Sequence, residues 1–298
     1  MTVIYNACNK ASRSLIRDFG EIEKLQVSTK GPGDFVTASD KRTEKIVIEE
    51  LLKAHPDYGI LSEEVGVINK ENKDHRWIID PIDGTFNFLN GIPHFAISIG
   101  YEEKGEIVCG MIFDPIKNET FFAEKGTGAF FNNSRIRVTK KNKLINCALA
   151  TGGPKSDSPR KENIFEEYTK ISRVVDAPIR KFGSAALGLA YVAAGRFDAY
   201  WEWELNYWDV AAGMVILKEN LEVTISFMDE KPISLDLPNN IECLVDITDA
   251  AIKGQTAASS YKPATLDNGI KINVPPFIES GDKIILDTRT LEYVKKIN

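Results

Sequence analysis

The chain holds no Cys-x-x-Cys pair: its four cysteines, Cys8, Cys109, Cys147 and Cys243, are scattered. A reduced cytoplasmic protein is the simplest reading of that pattern. Histidine is scarce too, and His55, His75 and His94 share no metal-ligand spacing, so surface or loop roles are expected for them. No apolar run is long enough to span a bilayer. The opening residues, MTVIYNACNKASRSL, lack the apolar stretch of a signal peptide. There is no excess of basic residues: the net charge is −6, which argues against a general nucleic-acid binder. An anionic substrate remains compatible with that charge, because bound metal ions supply local positive charge. The glycine-rich GPGDFVT lacks the Gly-Lys-Ser/Thr of a phosphate-binding P-loop.

What is present suffices for a core. The chain has 298 residues, 43% of them hydrophobic, enough for one large domain or two ordinary ones. Residues 40–55, DKRTEKIVIEELLKAH, read as an amphipathic helix with Asp40 at its N-cap and Pro56 beyond its end. Short strand-like runs follow at Trp77–Asp80, Phe95–Tyr101, Ile107–Phe113 and Thr120–Ala123. Residues 184–194 read as a helix, Phe197–Trp201 as a strand, and Asp209–Glu219 as a helix with Asp209 at its N-cap. Trp201 and Trp203 alternate on that strand, which places at most one of them toward a core. Alternating helices and strands suggest a layered α/β or α+β fold.

The texture changes near residue 220. No tryptophan occurs from Leu221 onward, although four precede it, and five prolines punctuate short runs such as LEVTISF, IECLVDI, IKINVP and KIILDT. That is an all-β pattern. A boundary near residue 220 therefore divides the chain into 1–219 and 220–298.

The chemistry-bearing stretch is WIIDPIDGTFNF, Trp77 to Phe88. An apolar run delivers Asp80 and Asp83 into a Pro- and Gly-containing turn, and Thr85 follows at once. Two carboxylates this close repel unless cations hold them, and magnesium takes oxygen ligands of this kind beside substrate phosphates. Further acids stand in LSEEVG (Glu63, Glu64), in NYWDVAAG (Asp209) and in DFVTASD (Asp40). Singly, each has an ordinary reading: a solvated loop, a β-turn or a helix cap.

Jointly, GDFVTASD, LSEEVG, WIIDPIDGTFNF, GIPHFAISIG, ATGGP, IRKFGSAALGLAYVAAGRFDAYWE and NYWDVAAG resemble, in order, the motifs of the inositol monophosphatase family. The resemblance covers about residues 1–219. It implies an αβαβα-layered fold and a magnesium-dependent, lithium-sensitive phosphomonoesterase acting on inositol 1-phosphate or a similar polyol phosphate, commonly as a homodimer. A sugar bisphosphate or nucleotide phosphate is an alternative substrate. It also implies roles. Glu63, Asp80 and the Ile82 carbonyl match ligands of a first ion, and Asp80, Asp83 and Asp209 those of a second. Glu63 would reach a third ion, with Glu64 in support. Thr85, helped by Asp40, matches the hydroxyl that orients the attacking water. Amides around Gly84 and Thr85 would hold phosphate. Asp83, Gly183, Ser184 and Glu202 match positions contacting the alcohol. Lys30 and Asp34 resemble a mobile loop near the third ion. The physics is consistent, since phosphoryl transfer needs positioning and charge stabilisation, and metal ions supply an activated water and a stabilised leaving oxygen.

Two features depart from that pattern. Gly188 stands where bacterial relatives usually carry Asp or Asn, and glycine inside a helix costs ~1 kcal/mol relative to alanine. After about Glu219 the family pattern of further strands and a closing helix is not followed, which makes the phosphatase fold C-terminally truncated and would leave apolar surface and a sheet edge open. From about residue 222 the chain resembles instead the C-terminal part of bacterial translation elongation factor P, above all in KPATLDNG and DTRTLEYV. That implies a gene fusion, a small all-β OB-fold-like barrel, and contact with tRNA or the ribosome. Against such contact, residues 222–298 carry eight Lys/Arg and twelve Asp/Glu, a net of −4, whereas backbone binding to RNA draws on positive charge. The second functional reading is therefore a ribosome- or tRNA-associated protein acting through this tail.

Overall fold

A computed structural model describes residues 1–21, 27–31, 34–69, 71–139, 141, 144–154, 158–175, 177–218, 224–228, 231–236, 240–249, 261–266, 271–287 and 292–297. The chain opens with α1 (Thr2–Phe19), a hairpin of β1 (Val27–Gly31) and β2 (Asp34–Thr37), and α2 (Ala38–Ala54). Strands β3 (Gly59–Ser62), β4 (Gly66–Ile68) and β5 (His75–Asp83) follow, then the short helix α3 (Thr85–Leu89). Strands β6 (Ala96–Glu103), β7 (Glu106–Asp114), β8 (Glu119–Glu124), β9 (Gly128–Phe131) and β10 (Ser134–Arg135) complete an eight-stranded sheet of order β10-β9-β8-β7-β6-β5-β3-β4. It is antiparallel except between β3 and β5.

Alternation along β5 buries both faces of that sheet. Trp77 and Ile79 join the side packed by α1 and α2, with Ile4, Ala7, Ala11, Leu15, Val47 and Leu51. Ile78 joins the opposite side, with residues of the later helices. This is the period-two consequence of strand geometry, and burial on two faces explains why the run is apolar rather than alternating. On the first side, buried Asp18 accepts hydrogen bonds from Ser39 Oγ and Arg42, which ties α1 to the start of α2.

A second region runs through β11 (Leu149–Thr151), α4 (Lys161–Val174), β12 (Ile179–Arg180), α5 (Ala185–Ala193), β13 (Ala199–Trp201) and α6 (Tyr207–Lys218). Its strands form a parallel sheet of order β12-β11-β13. Helix α6 lies across β5 to β8, and α5 packs on α6. The approach is close because two strand glycines face it: a Cβ on Gly110 would stand 2.7 Å from Ala212 Cα, and one on Gly100 3.1 Å from Ala211 Cβ. The layers are thus α1/α2, the large sheet, α5/α6 and the small sheet. Helix α4 is tied in by Trp203 Nε1, which donates to Glu167 Oε2 at 2.8 Å.

Among the described residues the C-terminal elements are all strands, as the sequence indicates. A hairpin of β14 (Thr224–Met228) and β15 (Lys231–Asp236) precedes β16 (Asn240–Thr248), β17 (Lys262–Leu266), β18 (Lys271–Val274), β19 (Lys283–Asp287) and β20 (Glu292–Lys296). These five form an antiparallel sheet, β18-β17-β16-β19-β20, whose outer strands approach each other. It is a nearly closed, OB-fold-like barrel. Its core is separate: Cys243, Val245, Ala264, Leu266, Ile272, Val274, Ile278, Ile284 and Leu286.

Several local expectations change. Asp40 is not the N-cap of α2. Thr37 is, and Asp40 is the third residue of the helix, its carboxylate returning to the Thr37 amide in a capping box. Asp209 likewise lies inside the first turn of α6, accepting from the Asn206 amide at 2.6 Å. The DPIDG segment is not a β-turn: β5 continues through Asp83, with a bulge in its pairing to β6 between Asp80 and Asp83. Trp203 lies beyond the end of β13, so the two tryptophans do not share a strand. The expected break at Glu219 falls outside the described residues. Lys30 and Asp34 lie in β1 and β2, and their side chains are outside the description.

Gly110→Val would drive a side chain into Ala212 and Val215. Overpacking of this kind costs about 1–3 kcal/mol. Urea unfolding should show a fall of that size in Gly110→Val and little change in Gly105→Ala at a left-handed turn with open space beside it, beyond the local backbone cost of about 1 kcal/mol.

Candidate active site

The site is built where β5 leaves the sheet. The bulge puts both Asp80 and Asp83 on the buried end of the strand, which is the re-aiming that bulges achieve near functional sites. Gly84 then takes φ 98°, a left-handed conformation, and α3 begins at Thr85. Only glycine adopts that conformation without cost. There is no room for a side chain there either, since a Cβ would lie 3.1 Å from the carbonyl oxygens of Gly183 and His94.

Thr85 Oγ1 stands 3.2 Å from Asp40 Oδ1 and 3.0 Å from the Ile82 carbonyl oxygen. The fully buried Asp40 also accepts from the Thr37 amide and hydroxyl. Burial raises its carboxyl above the ordinary range, against the opposing pull of those hydrogen bonds. Thr85 and Asp40, predicted as partners, are therefore brought together, and the Ile82 carbonyl, predicted as a metal ligand, lies beside them.

Asp80 is the electrostatic centre. It is buried, and its Oδ1 accepts from the Ile82 amide at 3.1 Å. Burial raises its carboxyl well above the usual value, and repulsion from Glu63, Asp83, Asp209 and Asp40 adds to the rise. Every predicted acidic ligand thus surrounds it. Asp83 is raised to about 6 by burial, offset by donors. Ser184 Oγ and the Ala186 amide donate to its Oδ2, and the Ala185 amide to its Oδ1. Ser184 is also the N-cap of α5, accepting from the Leu187 amide. The first turn of α5 is thereby aimed at a carboxylate, as a helix N-terminus favours.

Oxygen donors of this kind suit a hard cation. The closed ligand cage is not preformed: among the described residues, no group of three His, Cys, Asp or Glu side chains is arranged to hold a metal as it stands. The electrostatics and the geometry differ because Asp83 faces α5, while Asp80 feels its neighbours across the site. The donor chemistry fits a hard cation.

Glu63 and Glu64 are half-buried at the end of β3. Their loop is shaped by a residue that sequence reasoning missed. Glu44 of α2 is buried and accepts from Ser62 Oγ, the Glu64 amide at 3.0 Å and the Val65 amide at 3.2 Å. Its position four residues after Asp40, on the same helix face, was the available signal. Asn87 was also missed. Its side-chain amide donates to the His94 and Phe182 carbonyls at 2.8 and 2.6 Å, and so holds the segment before Gly183. Glu202 follows β13, with Tyr200 Oη donating to its Oε2.

The histidines do not join the site as ligands. His55 stacks on Tyr58, and His75 Nδ1 pairs with Tyr101 Oη at 2.7 Å. His94 is buried rather than on a surface loop, and burial lowers its pKa to about 4. The four cysteines are free.

Comparison with known proteins supports both halves of the resemblance. The inositol monophosphatase family matches residues 1–224, and the family described as elongation factor P, C-terminal, matches residues 241–296. An inositol-1-monophosphatase of Mesorhizobium japonicum is 48% identical over 219 residues, 74% of this chain and 82% of that relative. The Nus factor SuhB of Vibrio cholerae is 39% identical over 227 residues, 76% of this chain and 85% of its own length. The crystal structure of the extragenic suppressor protein suhB from Bartonella henselae superposes with a TM-score of 0.72 at 49% identity, covering 76% of this chain and 86% of that one.

Acid repulsion has a measurable sign. A carboxyl whose folded pKa is raised binds more protons folded than unfolded. Its favourable share is present below its unfolded value of 3.8 and is lost as pH rises through the folded value. Asp80→Asn in chelator should therefore be more stable than the parent near neutral pH. That advantage should grow as pH rises above the unfolded value of 3.8, as read by urea midpoints.

Proposed function

The chain belongs to the inositol monophosphatase family, and from that premise we propose a magnesium-dependent phosphomonoesterase acting on inositol 1-phosphate or a related polyol phosphate. The observation that carries this reading is the gathering of Glu63, Asp83, Asp209 and Asp40 around the buried Asp80. No cluster of this kind stabilises a fold; the surrounding acids push the Asp80 carboxyl further above its usual range than burial alone does. Glu63, Asp80 and the Ile82 carbonyl would hold one cation, and Asp80, Asp83 and Asp209 another. Magnesium, when bound, supplies charge for phosphate oxygens and an activated water.

The remaining work falls to the chain. Thr85 Oγ1, hydrogen-bonded to Asp40 and to the Ile82 carbonyl, accepts a hydrogen bond from the attacking water and passes its own proton toward Asp40. Amides at Gly84 and Thr85, at the start of α3, receive phosphate oxygens. Gly183, Ser184, Asp83 and Glu202 face the alcohol. Glu202 accepts from its hydroxyls and so disfavours esters that lack them. Within this reading residues 1–219 are the catalytic region and 220–298 an appended barrel. Lithium sensitivity, a cytoplasmic location and a homodimer accompany it as properties of the family.

A second reading is favoured by one observation, the elongation factor P match of residues 241–296: the tail docks the chain on tRNA or the ribosome. Co-sedimentation with ribosomes that is lost on deleting residues 222–298 supports it; binding unchanged by the deletion rejects it.

For the phosphatase, phosphate release from inositol 1-phosphate should require magnesium. Asp83→Asn should fall by about 100-fold or more and Thr85→Ala by about 100-fold. Equal rates for parent and Asp83→Asn, or rates indifferent to magnesium, contradict the proposal.

A further inference from the structure

Two glycines on different elements vacate space for one pair of side chains. A Cβ on Gly152, just after β11, would fall inside the Glu202 carboxylate. A Cβ on Gly188, in the middle of α5, would stand 2.5 Å from the Tyr200 ring. Tyr200 lies on β13, whose register places it beside Ala150 of β11, and its hydroxyl donates to Glu202 Oε2. The ring fills the site that a side chain at 188 would occupy, and the carboxylate fills the site that a side chain at 152 would occupy.

The arrangement runs against local preference. Gly188 is buried within AALGLAYVA, a run of good helix formers, and costs the helix about 1 kcal/mol relative to alanine. What it admits is a phenol that faces the acid cluster. The hydroxyl is raised well above its ordinary value by burial, by Glu202, and by Asp83 and Asp209 beyond. Tyr200 therefore remains a donor across the working pH range and fixes one oxygen of Glu202. The same helix presents its first-turn amides to Asp83, so α5 holds both alcohol-facing acids, one directly and one through Tyr200.

We propose that Tyr200 is a positioning residue for polyol recognition, seated by Gly188 and acting through Glu202. The inference rests on the reading of Glu202 as a partner of the substrate's hydroxyls and deepens it. With Tyr200 Oη holding Oε2, Glu202 presents a carboxylate of fixed orientation to a ring hydroxyl. Without that bond the carboxylate swings and the bond to substrate loses its geometry. Gly188 is on this account the seat of the ring: the helix gives up its own side chain, and a tyrosine from β13 takes the space.

The test compares two esters, inositol 1-phosphate and 4-nitrophenyl phosphate, which has no hydroxyls to recognise. In Tyr200→Phe the ratio of kcat/KM for the first to that for the second should fall roughly tenfold, carried mainly by KM, as loss of one charged hydrogen bond implies. Gly188→Ala, which keeps the hydroxyl but displaces the ring, should lower the same ratio. The double variant should be no worse than Tyr200→Phe alone, because both changes break one contact. Equal losses on the two esters, or an unchanged ratio in either variant, overturn the inference while leaving the phosphatase intact. A parent chain that cleaves neither ester overturns the proposed function and the inference together.

Discussion

The described elements up to α6 meet at an unfavourable contact: a buried aspartate repelled by four other carboxylates. Asp80 is taken out of water by the large sheet and is raised first by that burial, then by Glu63, Asp83, Asp209 and Asp40. Nothing in folding rewards this arrangement. A chain selected for stability alone would place apolar groups there, as buried charges are commonly matched or bettered by packed hydrophobes. On the proposed reading the repulsion becomes useful once a cation enters, because the electrostatic cost of gathering the acids is then reversed into binding.

The scaffold explains how a marginally stable chain tolerates it. The acids are fixed by backbone rather than by one another. The β5 bulge aims Asp80 and Asp83, a capping box holds Asp40, the first turn of α5 holds Asp83, and Asn206 holds Asp209. Glu44 fixes the Glu63–Glu64 loop through two amides and a hydroxyl. Rigid elements on both sides of the sheet meet at this point. Close packing of α6 on Gly100 and Gly110 brings Asp209 to the same place from the far side.

Much of this was legible in the sequence. The order of LSEEVG, DPIDGT and NYWDVAAG named the acids, the alternation of the tail indicated an all-β segment, and its resemblance to elongation factor P implied the barrel. Local geometry was less legible. Asp40 and Asp209 were read as N-caps because an acid before an apolar run is the usual sign of one; both sit inside the first turn instead, where a carboxylate returning to an earlier amide serves the same backbone need. DPIDG looked like a turn because Pro and Gly mark turns, yet the strand continues through a bulge that no composition announces. Glu44, Asn87 and Tyr200 were invisible because their roles depend on partners far along the chain. Gly188 was visible as an anomaly, and only the Tyr200 ring over it supplies a reason.

The central claim is that the acid cluster is a cation site, and the most direct measurement is the unfolding midpoint of the full chain at neutral pH as magnesium is titrated into chelator-treated protein. A ligand that binds only the folded state raises stability with its concentration. The account predicts a midpoint that climbs with magnesium in the parent and stays flat in Asp80→Asn. A parent midpoint indifferent to magnesium, or an equal rise in Asp80→Asn, would contradict it.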